Sequence, residues 1–261
     1  PMKDPLALLR DHHVDFVYGS YSALDRYFRV TSPGPVYINT DATLVTLASL
    51  FERLSYPGFP LTDAALEADG ATWLFRCVDN MEKAPSSPFT VMKFLYDDKR
   101  NVFRDPYDVY SDVRGGRLVT SSREDPPAVV VMEAAKLISR YNFDVDRGEM
   151  PLIRNYFIPD ESLQRHLLTS ILTSPFSWKG LSLLHGTGFI EEYWPELHQM
   201  SAVEQMKDYH PEGDVWEHTL ETLKYRKQCD LVLSLALLLH DSGKPIASGT
   251  VEKPFHEHSE L

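Results

Sequence analysis

Short apolar runs alternate with helical periodicity over roughly the first 124 residues of the chain. In two places a β-like run is followed by apolar residues at helical spacing, which predicts a strand and then a helix. The first pair is VDFVYG and SALDRYFRV, and the second is PVYINT and TLVTLASLFERL. TWLFRCV and FTVMKFLYD predict two further strands, and DPYDVYSDVRGGRLV predicts turns around short strands.

From Asp125 onward the β-like runs fade and helical spacing of apolar residues takes over. Four segments predict helices: DPPAVVVMEAAKLISRYNF, PDESLQRHLLTSILTS, WKGLSLLHGTG and DVWEHTLETLKYR. The expected fold class is therefore α+β, with a mixed α/β part to about residue 124 and helices after it. The pattern contains neither an internal repeat nor a low-complexity tract.

Composition narrows the classes of partner. Of the 261 residues, 43% are hydrophobic and 25% are charged, which is ordinary for a globular protein. The formal net charge of -12 opposes non-specific attraction to nucleic acid, although a local basic groove stays compatible with it. An acidic surplus also makes bound metal cations a natural counter-charge. Neither DNA nor a membrane is expected as a partner.

Cysteine use and the apolar runs predict a cytoplasmic protein. Cys77 and Cys229 lie far apart, so a disulfide framework is not expected and a reducing compartment is favoured. The opening PMKDPLALLRDHH has no apolar stretch of the kind that a secretory signal needs. LVLSLALLLH, the longest apolar run, is too short to span a bilayer.

The segment after Tyr209 carries the strongest candidate chemistry. Asp214 and Glu217 have the spacing of a helix cap, which places His218 in the first turns of a helix. A second helix, almost wholly apolar and therefore expected to be buried, then ends in His240 and Asp241, followed by the helix-stopping Gly243 and Pro245. Nitrogen and oxygen ligands on rigid elements are what a metal site needs.

A phosphate group is the natural ligand of Lys244, just beyond this doublet.

Each motif alone also has a structural explanation. A single histidine on an apolar helix face is usually a packed core residue, and a His-Asp pair at a helix end often only compensates the helix dipole. The combination favours a metal site, because the two motifs and the histidine-rich FHEHSEL follow in order over a short span.

HPEGDVWEHT, LALLLHDSGKP and FHEHSEL together resemble the HD domain attached to bacterial class II CCA-adding enzymes and poly(A) polymerases. The resemblance implies that His218, His240 and Asp241 bind a divalent ion such as Mg, Mn or Ni. It also implies that His258 is a further histidine of the pocket. If the site is a phosphohydrolase, we expect Lys244 to steady the phosphate and His258 to position substrate or donate a proton. Family sites hydrolyse phosphate esters and also use a distal Asp, for which this chain has no candidate, so the resemblance implies an incomplete or truncated site.

The same resemblance extends upstream. PLIRNYFIPDESLQRHLLTSILTSPFSWKGLSLLHGTGFIEEYWPEL is similar to the family's helical neck, and PFTVMKFLYDDKRNVFRDPYDVYSDVRGGRLV and PVYINTDATLVTLASLFERL are similar to parts of its nucleotidyltransferase head. The implied organisation is a nucleotidyltransferase-like head at 1–124, an RNA-binding-like neck at 125–200, and the first part of an HD domain at 201–261.

The catalytic positions of the head depart from the family pattern. Where the family has a pair of metal-binding aspartates, this alignment places Pro35 and Tyr37, and Pro88 replaces the Asp of a second motif. In two further motifs the charged residues are replaced as well, by Ala23 and Leu24 in the phosphate-cradling turn and by Val130 and Glu133 in a nucleotide-contacting helix. Four losses together predict a head that keeps its scaffold without nucleotidyl transfer.

Three functional hypotheses remain. The first is a metal-dependent phosphohydrolase that acts on a nucleotide or an RNA phosphate. The second is a non-catalytic RNA-binding or regulatory protein, with tRNA or another RNA as its partner. The third is residual tRNA nucleotidyltransferase or poly(A) polymerase activity in RNA processing.

Overall fold

The computed structural model describes residues 4–32, 34–121, 127–145, 148, 160–203 and 213–247. The chain divides into two compact units. The first consists of Pro1–Val130 with Asp144–Met150, and the second of Val131–Phe143 with Pro151–Leu261. The predicted three-part division at residues 124 and 200 stays a prediction.

The first unit is a mixed α/β structure. Its helices are α1 (Pro5–Asp11), α2 (Ser20–Phe28), α3 (Leu44–Leu50) and α4 (Tyr110–Gly115), and a 3-10 helix covers Thr90–Lys93. Its strands are β1 (Phe16–Tyr18), β2 (Val36–Thr40), β3 (Ala64–Ala68), β4 (Ala71–Cys77), β5 (Leu95–Asp97), β6 (Val102–Arg104), β7 (Arg117–Leu118) and β8 (Asp144–Val145).

One six-stranded sheet organises this unit, in the order β3-β4-β2-β1-β5-β6. β2 and β4 are parallel, with Ile38 opposite Phe75, and the other neighbours in the sheet are antiparallel. A parallel pair needs a crossover connection, which α3 and β3 supply between β2 and β4. β7 and β8 form a separate parallel pair.

The main core of the first unit lies where α1 and α3 pack on the sheet. Leu9 of α1 and Leu47 of α3 are fully buried, and they belong to one cluster with Ile38 and Phe75. Burial of such side chains contributes about 1.5–3 kcal/mol each. The apolar residues of the predicted helix thus cover one face of the sheet.

Two segments of this unit differ from the sequence prediction. The run predicted as one strand at 89–97 is a 3-10 helix followed by β5, and Val91 and Met92 are both buried instead of alternating. The segment predicted as turns contains α4, because the Asp105 carboxylate accepts hydrogen bonds from the backbone N–H groups of Val109 and Tyr110 at 2.8 and 2.9 Å. Such bonds satisfy donors that a helix start leaves open.

The second unit is helical. α5 (Pro127–Tyr141) runs into it from the first unit, and it continues with α6 (Glu161–Leu172), α7 (Ser177–Thr187), α8 (Phe189–Tyr193), α9 (Pro195–His198), a 3-10 helix at Gln199–Ala202, α10 (Val215–Tyr225) and α11 (Leu231–Leu239). The predicted α+β class is confirmed. The short strand β8 is an exception to the prediction that only helices follow residue 125.

A close helix approach and one arginine hold parts of the second unit together. A Cβ atom on Gly180 of α7 would lie 2.8 Å from the carbonyl oxygen of Ala135 in α5, so only glycine lets the two helices come this near. Arg226 donates hydrogen bonds to the carbonyl oxygens of Leu172 (3.0 Å) and Ser174 and to the hydroxyl of Ser177. These bonds cap the end of α6 and join it to the start of α7.

Within the described ranges no helix has both the length and the apolarity needed to cross a membrane.

Candidate metal centre

α10 brings His218 to the candidate site. The predicted cap is confirmed, because the Asp214 carboxylate accepts a hydrogen bond from the backbone N–H of Glu217 at 2.8 Å. Val215 and Leu223 are fully buried and fix the inner face of the helix. His218 is partly exposed, one turn from the capped end.

α11 brings the other two residues. Asp230 caps its start by accepting from the N–H of Leu233 at 2.9 Å, and the chain turns directly after Leu239. The sequence predicted a buried helix here. The structure corrects this, since Val232 is 75% exposed and Leu239 is 49% exposed, while Ser234 and Leu238 face the interior. Apolar residues of α11 therefore occur on both its buried face and its solvent-exposed face.

His218, His240 and Asp241 converge. One ligand atom from each lies within 4.8 Å of the others, and this is the one such group of three among the residues that the structure describes. Asp241 Oδ2 lies 3.2 Å from His240 Nε2 and 3.9 Å from His218 Nε2. Two ligands of one ion, each about 2.0–2.2 Å from it, are roughly 3–4.4 Å apart, so small side-chain rotations bring this donor set onto a metal.

Lys244 belongs to the same cluster. Its Nζ atom donates a hydrogen bond to Asp241 Oδ2 at 2.7 Å, and both side chains are buried. The sequence predicted that this lysine contacts a phosphate, and the structure shows a carboxylate partner. Local turn geometry brings them together, because the Lys244 N–H also donates to the Asp241 carbonyl at 3.0 Å.

Charge around Asp241 is arranged to keep it ionised. Burial by itself raises the pKa of Asp241, but hydrogen bonds from His240 and Lys244 outweigh it and hold the pKa well below its ordinary value. The hydrogen bond to Asp241 raises the pKa of His240, although burial opposes it. His240 Nδ1 lies 2.7 Å from the Leu237 carbonyl oxygen, which orients the ring with Nε2 toward the carboxylate.

Two imidazoles and one carboxylate suit a divalent transition metal, and three protein ligands leave positions open for water or substrate. The assignment of these three residues as ligands stays a prediction. His258, predicted to position substrate or donate a proton, lies outside the described residues.

The head motif positions are built into the scaffold of the first unit. The Tyr37 N–H donates to Ser22 Oγ at 2.7 Å, and its ring lies 4.9 Å from that of Tyr21. Ala23 and Leu24 are fully buried in α2. The Pro88 carbonyl accepts from the N–H of Ser121 at 2.8 Å.

The two positions on α5 are buried as well. Val130 is 6% exposed and Glu133 is 1% exposed, and the Glu133 carboxylate lies 2.6 Å from Lys136 Nζ. One carboxylate pair at the family spacing does occur elsewhere, at Asp144 and Asp146. Asp144 lies in β8 of the two-stranded sheet, and Asp146 lies outside the described residues.

A three-ring stack adjoins the metal centre, and nothing in the sequence pattern had indicated it. His185 of α7 stacks between Trp216 and His198, with ring centroids 5.3 and 5.5 Å away. A histidine that precedes Gly186 at the end of an apolar helix gives only a weak sequence signal, because its ring partners come from elements distant in the chain.

Comparison with known proteins finds similarity in sequence and in fold to CCA-adding proteins. The chain is 30% identical over 168 residues to the Multifunctional CCA protein of Neisseria gonorrhoeae, a match that covers 59% of this chain and 40% of the relative. It is 29% identical over 189 residues to the Multifunctional CCA protein of Pseudomonas syringae, covering 64% and 44%. The chain spans about two fifths of these relatives. No family model matches it.

Solved structures show the same fold. The Bacillus stearothermophilus CCA-adding enzyme in complex with CTP aligns with a TM-score of 0.54 at 17% identity, over 98% of this chain and 64% of that one. The Thermotoga maritima CCA-adding enzyme complexed with tRNA aligns with a TM-score of 0.52 at 13% identity, over 91% and 63%. The resemblance predicted from the sequence is confirmed at the level of the head and neck fold.

Proposed function

We propose that this protein is a metal-dependent phosphohydrolase of the HD type, acting on a nucleotide or an RNA phosphate through His218, His240 and Asp241. The observation that carries the proposal is the convergence of these three side chains on a common point. The donor set is chemically suitable for a divalent ion, and its three residues lie in the first turns of α10 and directly after α11.

Each residue has a distinct task in this proposal. His218 and His240 present neutral imidazole nitrogens, and the contact of His240 with the Leu237 carbonyl selects the ring nitrogen that faces the site. Asp241 supplies the negative charge. A bound divalent ion supplies a Lewis acid that polarises the phosphate ester and lowers the pKa of a bound water.

Lys244 moves between two partners. Without a phosphate its ammonium neutralises Asp241, at 2.7 Å. With a phosphate at the site, the ammonium steadies the developing negative charge. His258 donates a proton to the leaving oxygen in this proposal, a role that comes from the family resemblance alone.

We also propose that the head does not transfer nucleotides. Two-metal transfer needs a pair of carboxylates on the sheet that holds two metal ions about 4 Å apart. Pro35 lacks a ligand atom on its side chain, and the Tyr37 ring packs on Tyr21. The names of the CCA relatives support RNA or a nucleotide as the partner, since the chain shares a head and neck fold with proteins that act on tRNA.

The test uses the full chain with Mn²⁺, Ni²⁺ or Mg²⁺ and a panel of phosphomonoesters, 2′,3′-cyclic nucleotides and short RNAs. Hydrolysis that is lost in His240→Ala and Asp241→Asn, but kept in the surface variant Lys224→Met, supports the proposal. Metal analysis that finds no bound ion, together with no hydrolysis in any metal, contradicts it.

A non-catalytic RNA-binding role is the second candidate, favoured by the buried ion pair of Asp241 and Lys244, which also stabilises the turn without any metal. Tight tRNA binding without turnover would identify it. Labelling of a tRNA that ends before CCA, with CTP, ATP and Mg²⁺, would instead show residual nucleotidyl transfer and overturn our assignment of the head.

A further inference from the structure

The stack of His198, His185 and Trp216 joins three separate helices of the second unit. His185 lies in α7, His198 ends α9, and Trp216 lies in the first turn of α10. The His185 ring is inclined by 24° to Trp216 and by 28° to His198, so it stacks on each of them. Trp216 is 1% exposed and is one of the largest fully buried side chains.

His185 takes part in this stack through the face of its ring. Its Nε2 atom is buried and has no hydrogen-bond partner among the described residues. A buried polar nitrogen without a partner costs free energy, so the ring must be held there by its packing.

The surroundings keep this ring uncharged. Burial lowers the pKa of His185, and the neighbouring His198 lowers it further, while Asp214, Glu217 and Glu191 oppose the shift. A neutral imidazole between two aromatic rings gains from offset stacking, at separations in the usual range of about 4.5–7 Å.

The stack fixes the part of α10 that carries His218. The Asp214 carbonyl accepts from the His218 N–H at 3.1 Å, and the Asp214 carboxylate caps the same turn. Trp216 belongs to this turn, two residues before His218, and its side chain is buried. The direction in which α10 leaves its first turn, and with it the place of the His218 imidazole, is therefore set where Trp216 meets His185.

We propose that His185 is a positioning residue for the metal centre, which acts through Trp216 to hold His218 in place. This inference rests on the proposed function only in that it takes His218 as a metal ligand. His185 touches neither substrate nor metal. Its contribution is the face of its ring, so another flat aromatic ring replaces it and a small or aliphatic side chain does not.

The experiment compares His185→Phe, His185→Leu and His185→Ala in the full chain, at a temperature where circular dichroism shows each to be folded. Mn²⁺ alone is titrated calorimetrically. We expect His185→Phe to bind within twofold of the wild type, and His185→Leu and His185→Ala to bind about tenfold more weakly, as is typical when a residue that orients a ligand is lost. Equal affinity in all four proteins overturns the proposal, as does a loss in His185→Phe equal to that in His185→Ala.

A second readout separates this inference from the proposed function. The imidazole NMR signals of His218 in the metal-free proteins are expected to shift in His185→Leu and to stay in place in His185→Phe. If the wild type binds no Mn²⁺, the proposed function fails, and the His218 signals still decide the positioning role. Unchanged signals in His185→Leu overturn it.

Discussion

Lys244 Nζ and Asp241 Oδ2 lie 2.7 Å apart, and this same oxygen atom faces the imidazoles of His240 and His218. The ammonium of Lys244 thus interacts with the same carboxylate oxygen that would bind a metal ion. A buried carboxylate needs such a cation, because an uncompensated charge in the interior is strongly destabilising. The internal ammonium preserves the site while no metal is bound.

Replacing Lys244 should separate the stability of the site from its affinity for metal. Lys244→Met removes the ammonium and one of the hydrogen-bond donors to Asp241, while His240 stays 3.2 Å from its Oδ2 atom, so we expect the metal-free protein to lose about 1–3 kcal/mol of unfolding free energy. Added Mn²⁺ should stabilise this variant more than it stabilises the wild type, since no ammonium competes for Asp241. Urea unfolding with and without Mn²⁺ measures both effects. Lys224→Met, at an exposed lysine, is the control, and equal Mn²⁺ stabilisation in wild type and Lys244→Met would contradict the competition.

His240 should make the metal-free protein less stable at higher pH. The hydrogen bond to Asp241 raises the folded-state pKa of His240 above its ordinary value of about 6.5. A raised histidine pKa contributes stability that is complete below the unfolded pKa and is lost as the pH rises through the folded pKa. We therefore expect the unfolding free energy of the wild type to fall as the pH rises above about 6.5, and this part of the fall to vanish in His240→Gln. An unchanged slope in the variant would show that the contact with Asp241 does not couple to folding.

His166 should have the opposite effect on the acid side. Burial, with a smaller contribution from Lys136, lowers the pKa of His166 to about 4. The unfolded chain then binds a proton before the folded chain does, so stability present above about pH 6.5 is lost as the pH falls toward 4. The loss amounts to at most about 3 kcal/mol. Chemical denaturation at a series of pH values should show this slope in the wild type and a shallower one in His166→Leu. The exposed His12 provides the control substitution, His12→Leu, which should leave the slope unchanged.

Gly180 and Gly186 lie in the same helix and should respond oppositely to alanine. A methyl group on Gly180 meets the Ala135 carbonyl at 2.8 Å and the Ser139 side chain, so Gly180→Ala forces α5 and α7 apart at a cost of about 1–3 kcal/mol. Among the residues that the structure describes, no atom outside the backbone of this helix lies within 4 Å of a Cβ on Gly186, and Gly186→Ala should gain about 0.5–1 kcal/mol from helix propensity. Thermal unfolding of the two variants checks this. A neutral Gly180→Ala would mean that the helices approach less closely than the structure shows.

The pattern of apolar and polar residues was sufficient to predict most of the helices and strands, because this pattern keeps a regular period wherever an element buries one face in a core. β1, β2, β4 and the long helices follow that rule. β3 was missed, since Ala64, Ala65 and Ala68 have little preference for strands and are held there by pairing with β4. α4 was missed because its start depends on one carboxylate, that of Asp105, reaching back to the backbone.

The candidate site shows the same division between local and distant effects. The doublet His240-Asp241 and the capped turn before His218 are local, and the sequence singled them out for a metal site. The contact of Lys244 with Asp241 is local as well, since one turn contains both residues, although the sequence indicated a phosphate as the partner of this lysine. The stacking of the His185 ring on Trp216 joins residues far apart in the chain, which no spacing rule contains. The roles of these side chains as ligands await the metal measurements above.

The order of strands in the large sheet has a consequence for the time course of folding. β1 lies between β2 and β5, and Tyr18 pairs both with Ile38 and with Tyr96. The first pairing is reached early along the chain, whereas the second joins residues far apart in sequence. Pairings of high sequence separation slow folding. The antiparallel pair of β1 and β2 can therefore form before the sheet closes, and during synthesis the other edge of β1 has no strand to pair with until the segment around Tyr96 has emerged.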